Sequence, residues 1–367
     1  MTKRVDTESY LGDIRHPIDL ANLERFLVRN CPTKFIAPFT LKQFGHGQSN
    51  PSYQICDAMG RKYVLRKQPP GKLLSKSAHR VDREFHMQRA LGLHTSVPVA
   101  KMVVLCEDLD VIGTVFYVME FLNGRIFHET SIENVSASDR KELWGAIIKT
   151  LATLHAVDPT KIGLPESMTR NLSSHYPRQI KTLKAVTDAQ AKAKDPQTGE
   201  ELGEIDRIDE ILNWMKRNLP SNRVAIVHGD FKVDNIVFHP TENRVIGILD
   251  WELCTIGHPL ADLGNLLLPY TLPNIQGFEA FSVEHGNGLP TLAEQLELYH
   301  QCTGYDPRPD WTFAVVYALA RYAMITHGIA ARVLQGQASA QNAVITGGLY
   351  GFFADSAYEA TENKAKL

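Results

Sequence analysis

One short segment of the chain gathers side chains suited to the transfer of a phosphoryl group. The segment HGDFKVDN, residues 228–235, directly follows the apolar run 224–227, which predicts a buried strand that ends in a loop. Phosphoryl transfer needs a carboxylate that orients the attacking hydroxyl and accepts its proton, and oxygen ligands that hold magnesium against the phosphates. Asp230 and Asn235, five residues apart, can supply both groups. Lys232, between them, is a further candidate catalytic residue.

A second acidic residue follows the next predicted strand. The apolar run 245–249 ends in Asp250, fifteen residues beyond Asn235, at a strand end where a metal ion can bind. A β-hairpin with ordinary turn acids would explain either motif alone. The two motifs occur in order, however, and each follows an apolar strand. We therefore predict that oxygen ligands from Asn235 and Asp250 converge on a magnesium ion.

These motifs resemble those of a known enzyme family. HGDFKVDN and ILDWE are similar to motifs of the aminoglycoside phosphotransferase and choline kinase family, a branch of the protein-kinase-like fold. The resemblance implies that Asp230 is the catalytic base and that Asn235 and Asp250 hold magnesium beside ATP. The segment GHPLADLGN also matches the family, and the resemblance implies that its Asp262 braces the catalytic loop.

The N-terminal part of the chain fits the same resemblance. A glycine-rich turn, residues 44–50, lies between two predicted strands, where kinases have the loop that covers the phosphates. Glycines let backbone N–H groups approach phosphate oxygens, although such a turn alone is more often only a turn. The candidate nucleotide-binding residues of this turn are Gly45, Gly47, Gln48, Ser49 and Asn50.

The next strand, residues 63–67, offers two cations to the phosphates. Because side chains alternate across a strand, Arg66 lies on the face of Val64 and Lys67 on the opposite face. The kinase pattern favours Arg66 and pairs this position with a glutamate of the following helix, here Glu84. Choline kinases resemble this sequence in using arginine there. Since arginine is a forked donor and lysine a point charge, the choice between the two phosphate contacts stays open.

The order of the predicted elements gives the fold class. A β-rich segment with one helix precedes a mostly helical segment, an α+β arrangement that the resemblance identifies as the two-lobed protein-kinase-like fold. We predict an N-terminal nucleotide-binding lobe with a helical lead-in at residues 1–122 and a C-terminal catalytic and substrate-binding lobe at 123–367. A strand is predicted at residues 111–121. Its later part with Leu122, residues 116–122, matches the interlobe hinge, which implies adenine contacts at the backbone of Glu120 and Leu122.

Charge and composition narrow the range of partners. Lys and Arg number 39 against 41 for Asp and Glu, so no positive excess favours a nucleic-acid partner. Five scattered cysteines without a CxxC pair argue against a disulfide framework and a thiolate zinc site. The first ten residues lack the apolar core of a secretory signal, so we expect a cytoplasmic protein. The apolar run 313–329 contains Arg321 and His327, which predicts a buried helix and no membrane partner.

The spacing after the second motif indicates a small-molecule kinase. Eleven residues separate Asp250 from Asp262, too few for the activation segment on which protein kinases bind a peptide. Large helical insertions, residues 160–222 and 265–335, can instead enclose a small acceptor that carries a hydroxyl group.

A closer resemblance concerns the acceptor. GQSNPSYQI, YVLRKQPPGKLL and FYVMEFLNGR resemble the kinase-like module that is fused to acyl-CoA dehydrogenases in animals and occurs alone in bacteria, over about residues 35–350. This resemblance implies phosphorylation of a hydroxyacyl compound or its CoA thioester, and a functional link to a separate acyl-CoA dehydrogenase. The basic run around the predicted helix 176–193 suits such an anion, so we predict acceptor contacts from Tyr176 and Arg178.

Two alternatives stay open. One is a kinase of the aminoglycoside or choline type, although aminoglycoside pockets must attract polycations and the sequence offers basic residues around the predicted acceptor helix. The other is a pseudokinase module that binds nucleotide without turnover, against which the intact Asp230, Asn235 and Asp250 argue.

Overall fold

The structure is a computed structural model of the chain, and it describes residues 11–15, 17–45, 50–69, 80–170, 172, 175–281, 286–338 and 342–363. These residues form two compact units, each built from segments that are distant in the chain. Unit 1 holds the chain up to Glu129 together with Pro159–Ser167 and Val233–Cys254. Unit 2 holds Thr130–Asp158, Met168–Lys232 and the chain from Thr255 onward.

An antiparallel sheet forms the centre of unit 1. Its described strands are β1 (Leu11–Gly12), β2 (Thr40–Phe44), β3 (Ser52–Cys56), β4 (Lys62–Lys67), β5 (Met102–Cys106) and β6 (Phe116–Glu120). Their order across the sheet is β1-β2-β3-β4-β6-β5, so β4 lies in the interior with β3 and β6 as its neighbours. The cations of β4 are therefore fixed by hydrogen-bonded strands on both sides.

Helices cover the two faces of this sheet. The helices of the first 129 residues are α1 (Leu20–Asn30), α2 (Val81–His94) and α3 (Leu109–Ile112). Helix α1 begins after Asp19, whose side chain accepts a hydrogen bond from the Asn22 N–H at 2.9 Å. Helix α1 packs on a core cluster that contains Leu65, whereas α2 packs on a cluster that contains Tyr117.

Successive side chains of β4 point alternately toward these two clusters. Leu65 belongs to the α1 cluster, and Lys67 lies opposite Phe116 of that same cluster in the strand register. Arg66 lies opposite Tyr117 and forms an ion pair with Glu84 of α2. The predicted separation of the two cations onto opposite faces is confirmed.

A later hairpin completes unit 1. It consists of β8 (Ile236–Phe238) and β9 (Val245–Ile248), which are antiparallel. Phe238 exchanges backbone hydrogen bonds with Arg125 at 2.9 Å, and the Ile248 N–H donates to the Pro98 carbonyl at 3.1 Å. Because these bonds join the hairpin to the first 129 residues, a single boundary after residue 122 does not describe how the chain packs.

Unit 2 is mostly helical. Its described helices are α4 (Ala137–His155), α6 (His175–Ala191), α7 (Ile208–Arg217), α8 (Leu260–Leu267), α9 (Leu292–Thr303), α10 (Trp311–Leu334), α11 (Ala343–Gly347) and α12 (Tyr350–Glu362). Its described strands are β7 (Ala225–Val227) and β10 (Thr255–Gly257). The short helix α5 (Glu166–Thr169) begins in a segment of unit 1 and ends in a segment of unit 2. The strands β7 and β10 pair antiparallel. They flank the 228–235 segment and the start of α8, which are the parts that carry the motifs.

The long helix α10 lies in the interior of unit 2. The segment Arg308–Leu334 is long and apolar enough to cross a bilayer, and 67% of its most apolar window is buried inside the protein. One of its polar interruptions, His327, is satisfied internally, since it is fully buried between the Gln190 side chain and the Gly203 carbonyl, each at 3.1 Å. The prediction of a buried helix in this segment is confirmed.

One predicted strand is partly wrong. Residues 111–121 do not form one strand, because Leu109–Ile112 are helical and β6 begins only at Phe116. The Asp108 side chain caps this helix by accepting from the Asp110 N–H at 3.0 Å, and Gly113 ends it in the left-handed region with φ of 81°. This local capping outweighs the β preference of the apolar residues.

Gly124 lies where the first segment of unit 1 packs against strand β8 of the hairpin, and a substitution there can test this packing. A Cβ atom at this position would lie 2.3 Å from the Phe238 carbonyl oxygen and 2.5 Å from a Val237 methyl carbon. We expect Gly124→Ala to lower the free energy of unfolding by about 1–3 kcal/mol, because the backbone of β8 must move. The control Gly145→Ala, in open space on α4, should cost nothing. Equal urea midpoints for the two variants would contradict this packing.

Candidate active site

A buried carboxylate in unit 2 holds the start of the 228–235 segment. Asp262 of α8 is fully buried, and its two oxygens accept the His228 N–H at 2.6 Å and the Gly229 N–H at 2.8 Å. Its Oδ2 also lies 3.3 Å from Nε2 of His155, whose Nδ1 lies 2.8 Å from the Tyr299 hydroxyl. The bracing role that the resemblance implied for Asp262 is thus visible as hydrogen bonds.

The charge on Asp262 is stabilised by these partners. Burial alone would raise the pKa of this carboxyl, but the hydrogen bond and charge of His155, the charge of His228 and the Gly229 N–H together hold the pKa below its ordinary value. The carboxylate is therefore ionised at neutral pH, and two of its bonds go to main-chain donors.

Further hydrogen bonds hold the same loop. Nη2 of Arg321 donates to the Gly229 carbonyl at 2.7 Å, and Nδ2 of Asn265 donates to the Phe231 carbonyl at 3.1 Å. The Asp230 N–H donates to Nδ1 of His228 at 3.2 Å. Gly229 has a φ of 89°, a conformation that L side chains rarely adopt.

Asp230 is the part of this loop that stays accessible. Its side chain is 31% exposed, and one of its oxygens lies 3.4 Å from Nζ of Lys232, which is 38% exposed. The two sequence-predicted catalytic residues are therefore adjacent. A partly exposed carboxylate on a fixed main chain can meet a hydroxyl group without rearrangement of the loop.

In unit 1, Arg66 is the centre of a charge network. Its Nε lies 3.0 Å from Glu84, and its Nη2 lies 2.6 Å from Asp250 and 3.4 Å from Glu252. Burial opposes the charge on Arg66, but the facing carboxylates raise its pKa further above the ordinary value. The structure thus contains the predicted pair of Arg66 and Glu84, and it adds Glu252, which the sequence did not single out.

Glu84 is fixed from three sides. It is 1% exposed and accepts hydrogen bonds from the Tyr117 hydroxyl at 3.0 Å and from Nδ2 of Asn50 at 2.8 Å, besides its ion pair with Arg66. Burial raises the pKa of this carboxyl, and the charge of Arg66 and the Tyr117 hydroxyl only partly offset this effect. The predicted phosphate-loop residue Asn50 is thus a support of the ion pair.

The β8–β9 hairpin brings the two predicted magnesium ligands to one end. The Leu249 N–H donates to the Asn235 carbonyl at 2.7 Å, which places Asn235 beside the residue that precedes Asp250. Asp250 has φ and ψ of 61°, a left-handed conformation that costs a non-glycine residue about 1–3 kcal/mol. A strained backbone that is retained at a charged residue is a common mark of a functional position.

These residues fit a magnesium ion that also binds phosphate. Mg²⁺ takes one or two carboxylates and completes its octahedron with water and phosphate oxygens. Asp250 and Asn235 are hard oxygen donors of this kind. Among the residues that the structure describes, no group of three or more His, Cys, Asp or Glu side chains is disposed to hold a metal ion, so a closed all-protein site is not present there.

Other predicted nucleotide contacts are partly described. Gly47, Gln48 and Ser49 lie outside the described residues, whereas Gly45 is exposed at the end of β2. The Glu120 N–H donates to the Lys101 carbonyl at 2.9 Å and is thus committed to the sheet. The Glu120 N–H is thus not free to bind adenine, and a contact between adenine and the Glu120 carbonyl group stays a prediction. For Leu122, the side chain lies against β9, and its backbone contact with adenine also stays a prediction.

The predicted acceptor contacts do not share a face of α6. Tyr176 is 4% exposed and packs against Phe313 and Tyr317, with ring centroids 4.6 and 4.9 Å apart. It belongs to the buried stripe of the helix, whereas Arg178 is exposed. The ring of Tyr176 is therefore part of the core, and an acceptor contact of this residue stays a prediction for its hydroxyl group. The basic run is also weaker than predicted, because Lys184 is ion-paired with two aspartates.

Comparison with known proteins places this geometry in a family. Residues 40–311 match the model of the Phosphotransferase enzyme family, known as APH. The chain belongs to this family. A crystal structure from Ralstonia eutropha that is provisionally named an aminoglycoside phosphotransferase is 33% identical, with a TM-score of 0.81 over 96% of this chain and 100% of that one. The predicted α+β, protein-kinase-like fold class is confirmed.

Some relatives of this chain are longer proteins, of which the chain matches only a part. Acyl-CoA dehydrogenase family member 11 of Rattus norvegicus is 38% identical over 90% of this chain and 42% of that protein. The probable acyl-CoA dehydrogenase IBR3 of Arabidopsis thaliana is 40% identical over 89% of this chain and 40% of that protein. The chain thus spans about two fifths of the length of these relatives. The predicted resemblance to the module associated with such dehydrogenases is confirmed.

More distant structures share the fold alone. The aminoglycoside phosphotransferase APH(4)-Ia, crystallised with ADP and hygromycin B, is 12% identical with a TM-score of 0.56. The ethanolamine kinase of Plasmodium vivax is 15% identical with a TM-score of 0.57. The fold of this phosphotransferase family member therefore occurs in kinases with chemically different acceptors.

The charge network of Arg66 predicts that Arg66 and Lys67 differ in their effect on Mg-ATP binding. We expect Arg66→Met to lower the free energy of unfolding by about 3 kcal/mol, because Glu84, Asp250 and Glu252 lose their counter-charge, and to weaken Mg-ATP binding at least about tenfold. Lys67→Met removes the same charge on the opposite face and should leave Mg-ATP affinity unchanged. Calorimetric titration of both variants measures this difference, and the reverse ranking would show that the phosphate contact is Lys67.

The brace of the loop can be tested by pH. Asn at position 262 keeps one oxygen and turns an N–H donor toward a main-chain N–H, so Asp262→Asn should lose about 3 kcal/mol at pH 7. Because the folded pKa of Asp262 is depressed, its contribution is present above the unfolded pKa and is lost as the pH falls through the folded pKa. The stability difference between wild type and variant should hence shrink below about pH 4. Urea titrations at several pH values measure it, and a constant difference would contradict an ionised Asp262.

Proposed function

We propose that the chain is an ATP- and magnesium-dependent kinase that phosphorylates a hydroxyl group of a small molecule. The observation that supports this proposal most is the 228–230 loop, in which Asp262 and Arg321 fix the main chain while the Asp230 carboxylate remains 31% exposed. This arrangement presents a base to an incoming hydroxyl. Membership of the Phosphotransferase enzyme family supports the same class of reaction.

In the proposed reaction Asp230 acts on the acceptor. Its carboxylate accepts a hydrogen bond from the hydroxyl group and takes the proton as that oxygen bonds to the γ-phosphorus of ATP. The bond from this phosphorus to the β–γ bridging oxygen breaks, and ADP leaves with the electron pair. Lys232, 3.4 Å from Asp230, offsets the negative charge of the carboxylate and of the transferred group.

The residues of unit 1 serve the nucleotide in this proposal. Asn235 and Asp250 would hold magnesium, which supplies charge neutralisation at the phosphate oxygens when it is bound. Arg66, which Glu84 orients, contacts the phosphates. The glycine-rich turn and the backbone at Glu120 and Leu122 bind the rest of ATP. The relative APH(4)-Ia was crystallised with ADP, which is in keeping with a nucleotide site on this fold.

The short connection after Asp250 supports a small acceptor. The chain passes from Asp250 through the 3-10 turn Trp251–Leu253 and the strand β10 directly to α8. No segment of this length can serve as the platform that positions a peptide. We therefore assign a small-molecule acceptor rather than a protein.

We further propose that the acceptor is a hydroxyacyl compound, as the free acid or the CoA thioester. The relatives that cover most of this chain are named as acyl-CoA dehydrogenases, which act on acyl groups. A kinase that accompanies such an enzyme would prepare or divert a hydroxylated acyl group. In this proposal the dehydrogenation itself requires a separate catalytic unit.

The base role of Asp230 is tested by Asp230→Asn. This variant should bind Mg-ATP normally and lose turnover by about 10²- to 10⁴-fold, because the hydroxyl proton has no positioned acceptor. Asp234→Asn changes the same charge in the same segment at a residue without an assigned role, and it serves as the matched control. Both are measured by ADP release under saturating substrates.

The acceptor class is tested with the same assay. Wild type is offered a hydroxy acid, its CoA thioester, choline, homoserine and kanamycin, with and without magnesium. Magnesium-dependent turnover of the hydroxyacyl compounds supports the proposal, and preference for kanamycin or choline would move the chain to that type of kinase. Tight Mg-ATP binding without turnover of any acceptor would favour a pseudokinase module.

A further inference from the structure

We propose that Arg321 of α10 binds an oxyanion of the acceptor and so selects anionic substrates. This inference rests on the proposed kinase function and names a specificity residue for it. The oxyanion is a carboxylate of a free hydroxy acid or a phosphate of its CoA thioester, since both suit the planar, forked donors of a guanidinium group.

The first observation is where the guanidinium group lies. Its Nη2 donates to the Gly229 carbonyl at 2.7 Å, and Gly229 is covalently joined to the base Asp230. A donor that is anchored one peptide from the base can hold an acceptor whose hydroxyl meets that base. The apolar helix α10 fixes the stem of Arg321, so the position is set by a rigid element rather than by a loop.

The second observation is the charge balance of Arg321. The side chain is half-buried, and among the described residues no carboxylate lies within 4.0 Å of it. In that part of the chain it donates to the Gly229 carbonyl and lies over the ring of Tyr317, whose centroid is 5.8 Å from Cζ. A half-buried cation without a counter-ion is costly, because desolvation is not repaid by an opposite charge. An anionic ligand would supply that charge.

The third observation is a set of unsatisfied polar atoms on α6. Both ring nitrogens of His175 and the hydroxyl of Tyr176 are buried without a hydrogen-bond partner in the described structure. His175 is 5% and Tyr176 4% exposed. Buried polar atoms of this kind are rare in native proteins and point to a ligand or water that completes them.

These atoms lie within the field of Arg321. Burial lowers the pKa of His175 to about 4, and the positive charges of Arg178 and Arg321 act in the same direction, against Asp262. Arg321 also acts on the ionisation of Tyr176. The ring of Tyr317 joins these groups in space, since its centroid is 6.4 Å from the ring of His175, 4.9 Å from that of Tyr176 and 5.8 Å from Cζ of Arg321. The positive charge of Arg321 favours an oxyanion over a polycation here.

A purely structural role for Arg321 makes a different prediction. If the guanidinium group only braced the Gly229 carbonyl, its loss would misplace Asp230 and lower kcat for every acceptor alike. An anion contact in addition to the brace lowers kcat/KM further for charged acceptors than for neutral ones. The comparison of matched charged and neutral acceptors therefore separates the two roles.

The experiment compares Arg321→Met, Arg321→Lys and the control Arg332→Met, which removes an exposed arginine from the same helix. The acceptors are a free hydroxy acid, its neutral methyl ester and its CoA thioester. We expect Arg321→Met to lower kcat with every acceptor, because the Gly229 carbonyl loses its donor, and to lose a further factor of about 10 to 100 in kcat/KM with the charged acceptor that wild type prefers, relative to the ester. Arg321→Lys should recover part of the loss, and Arg332→Met should match wild type.

The pattern of losses decides the source of the oxyanion. Loss with the free acid assigns a carboxylate, and loss confined to the thioester assigns a CoA phosphate. Equal loss with all three acceptors, or none, overturns the inference. Binding of the free acid and of the thioester without ATP, measured by calorimetry, gives a second readout should Arg321→Met lack turnover, and unchanged affinity there also overturns it. The proposed kinase function fails separately, if wild-type turnover does not depend on Asp230.

Discussion

The buried carboxylate of Asp262 is the interaction on which the catalytic part of unit 2 depends. A carboxylate with no exposed surface is stable only where donors replace its hydration shell, and here the donors are the His228 and Gly229 N–H groups and the imidazole of His155. The same bonds that keep the charge inside the protein define the path of the main chain before Asp230. Stability and the placement of the base thus have one cause.

In unit 1 the buried charge is positive rather than negative, and it too is stabilised by groups from several segments. There a buried cation, Arg66, gathers carboxylates from α2 and from the end of the β8–β9 hairpin, so that three distant segments share one charge balance. The left-handed backbone of Asp250 is kept at this point. A nucleotide and its metal ion would redistribute these charges, because Asp250 pairs with the arginine and is also the proposed magnesium ligand.

Sequence reasoning succeeded where chemistry and strand periodicity agree. The alternation of side chains along β4 follows from strand spacing, whereas the pair of Arg66 with Glu84 and the role of Asp262 follow from the family pattern. It failed where tertiary packing decides. Tyr176 reads as a polar contact but joins the buried stripe of α6, and β8 and β10, of three residues each, are too short for a periodic signal. In the sequence, Arg321 stands out only as a charged residue within the apolar run 313–329. That interruption is the one sequence feature that could have pointed to the role we propose for it.

The interleaved layout of the two units bears on how the protein is made. About 120 residues separate the end of the first segment of unit 1 from the end of its hairpin, and ribosomes add roughly 5–20 residues per second, so unit 1 lacks its hairpin for roughly 6–25 seconds of synthesis. During this interval Arg66 has only Glu84 as a partner, since Asp250 and Glu252 have not yet been translated. The nascent sheet therefore carries a neutral ion pair, and unit 1 gains the two further carboxylates of Asp250 and Glu252 only after the catalytic loop of unit 2 has emerged.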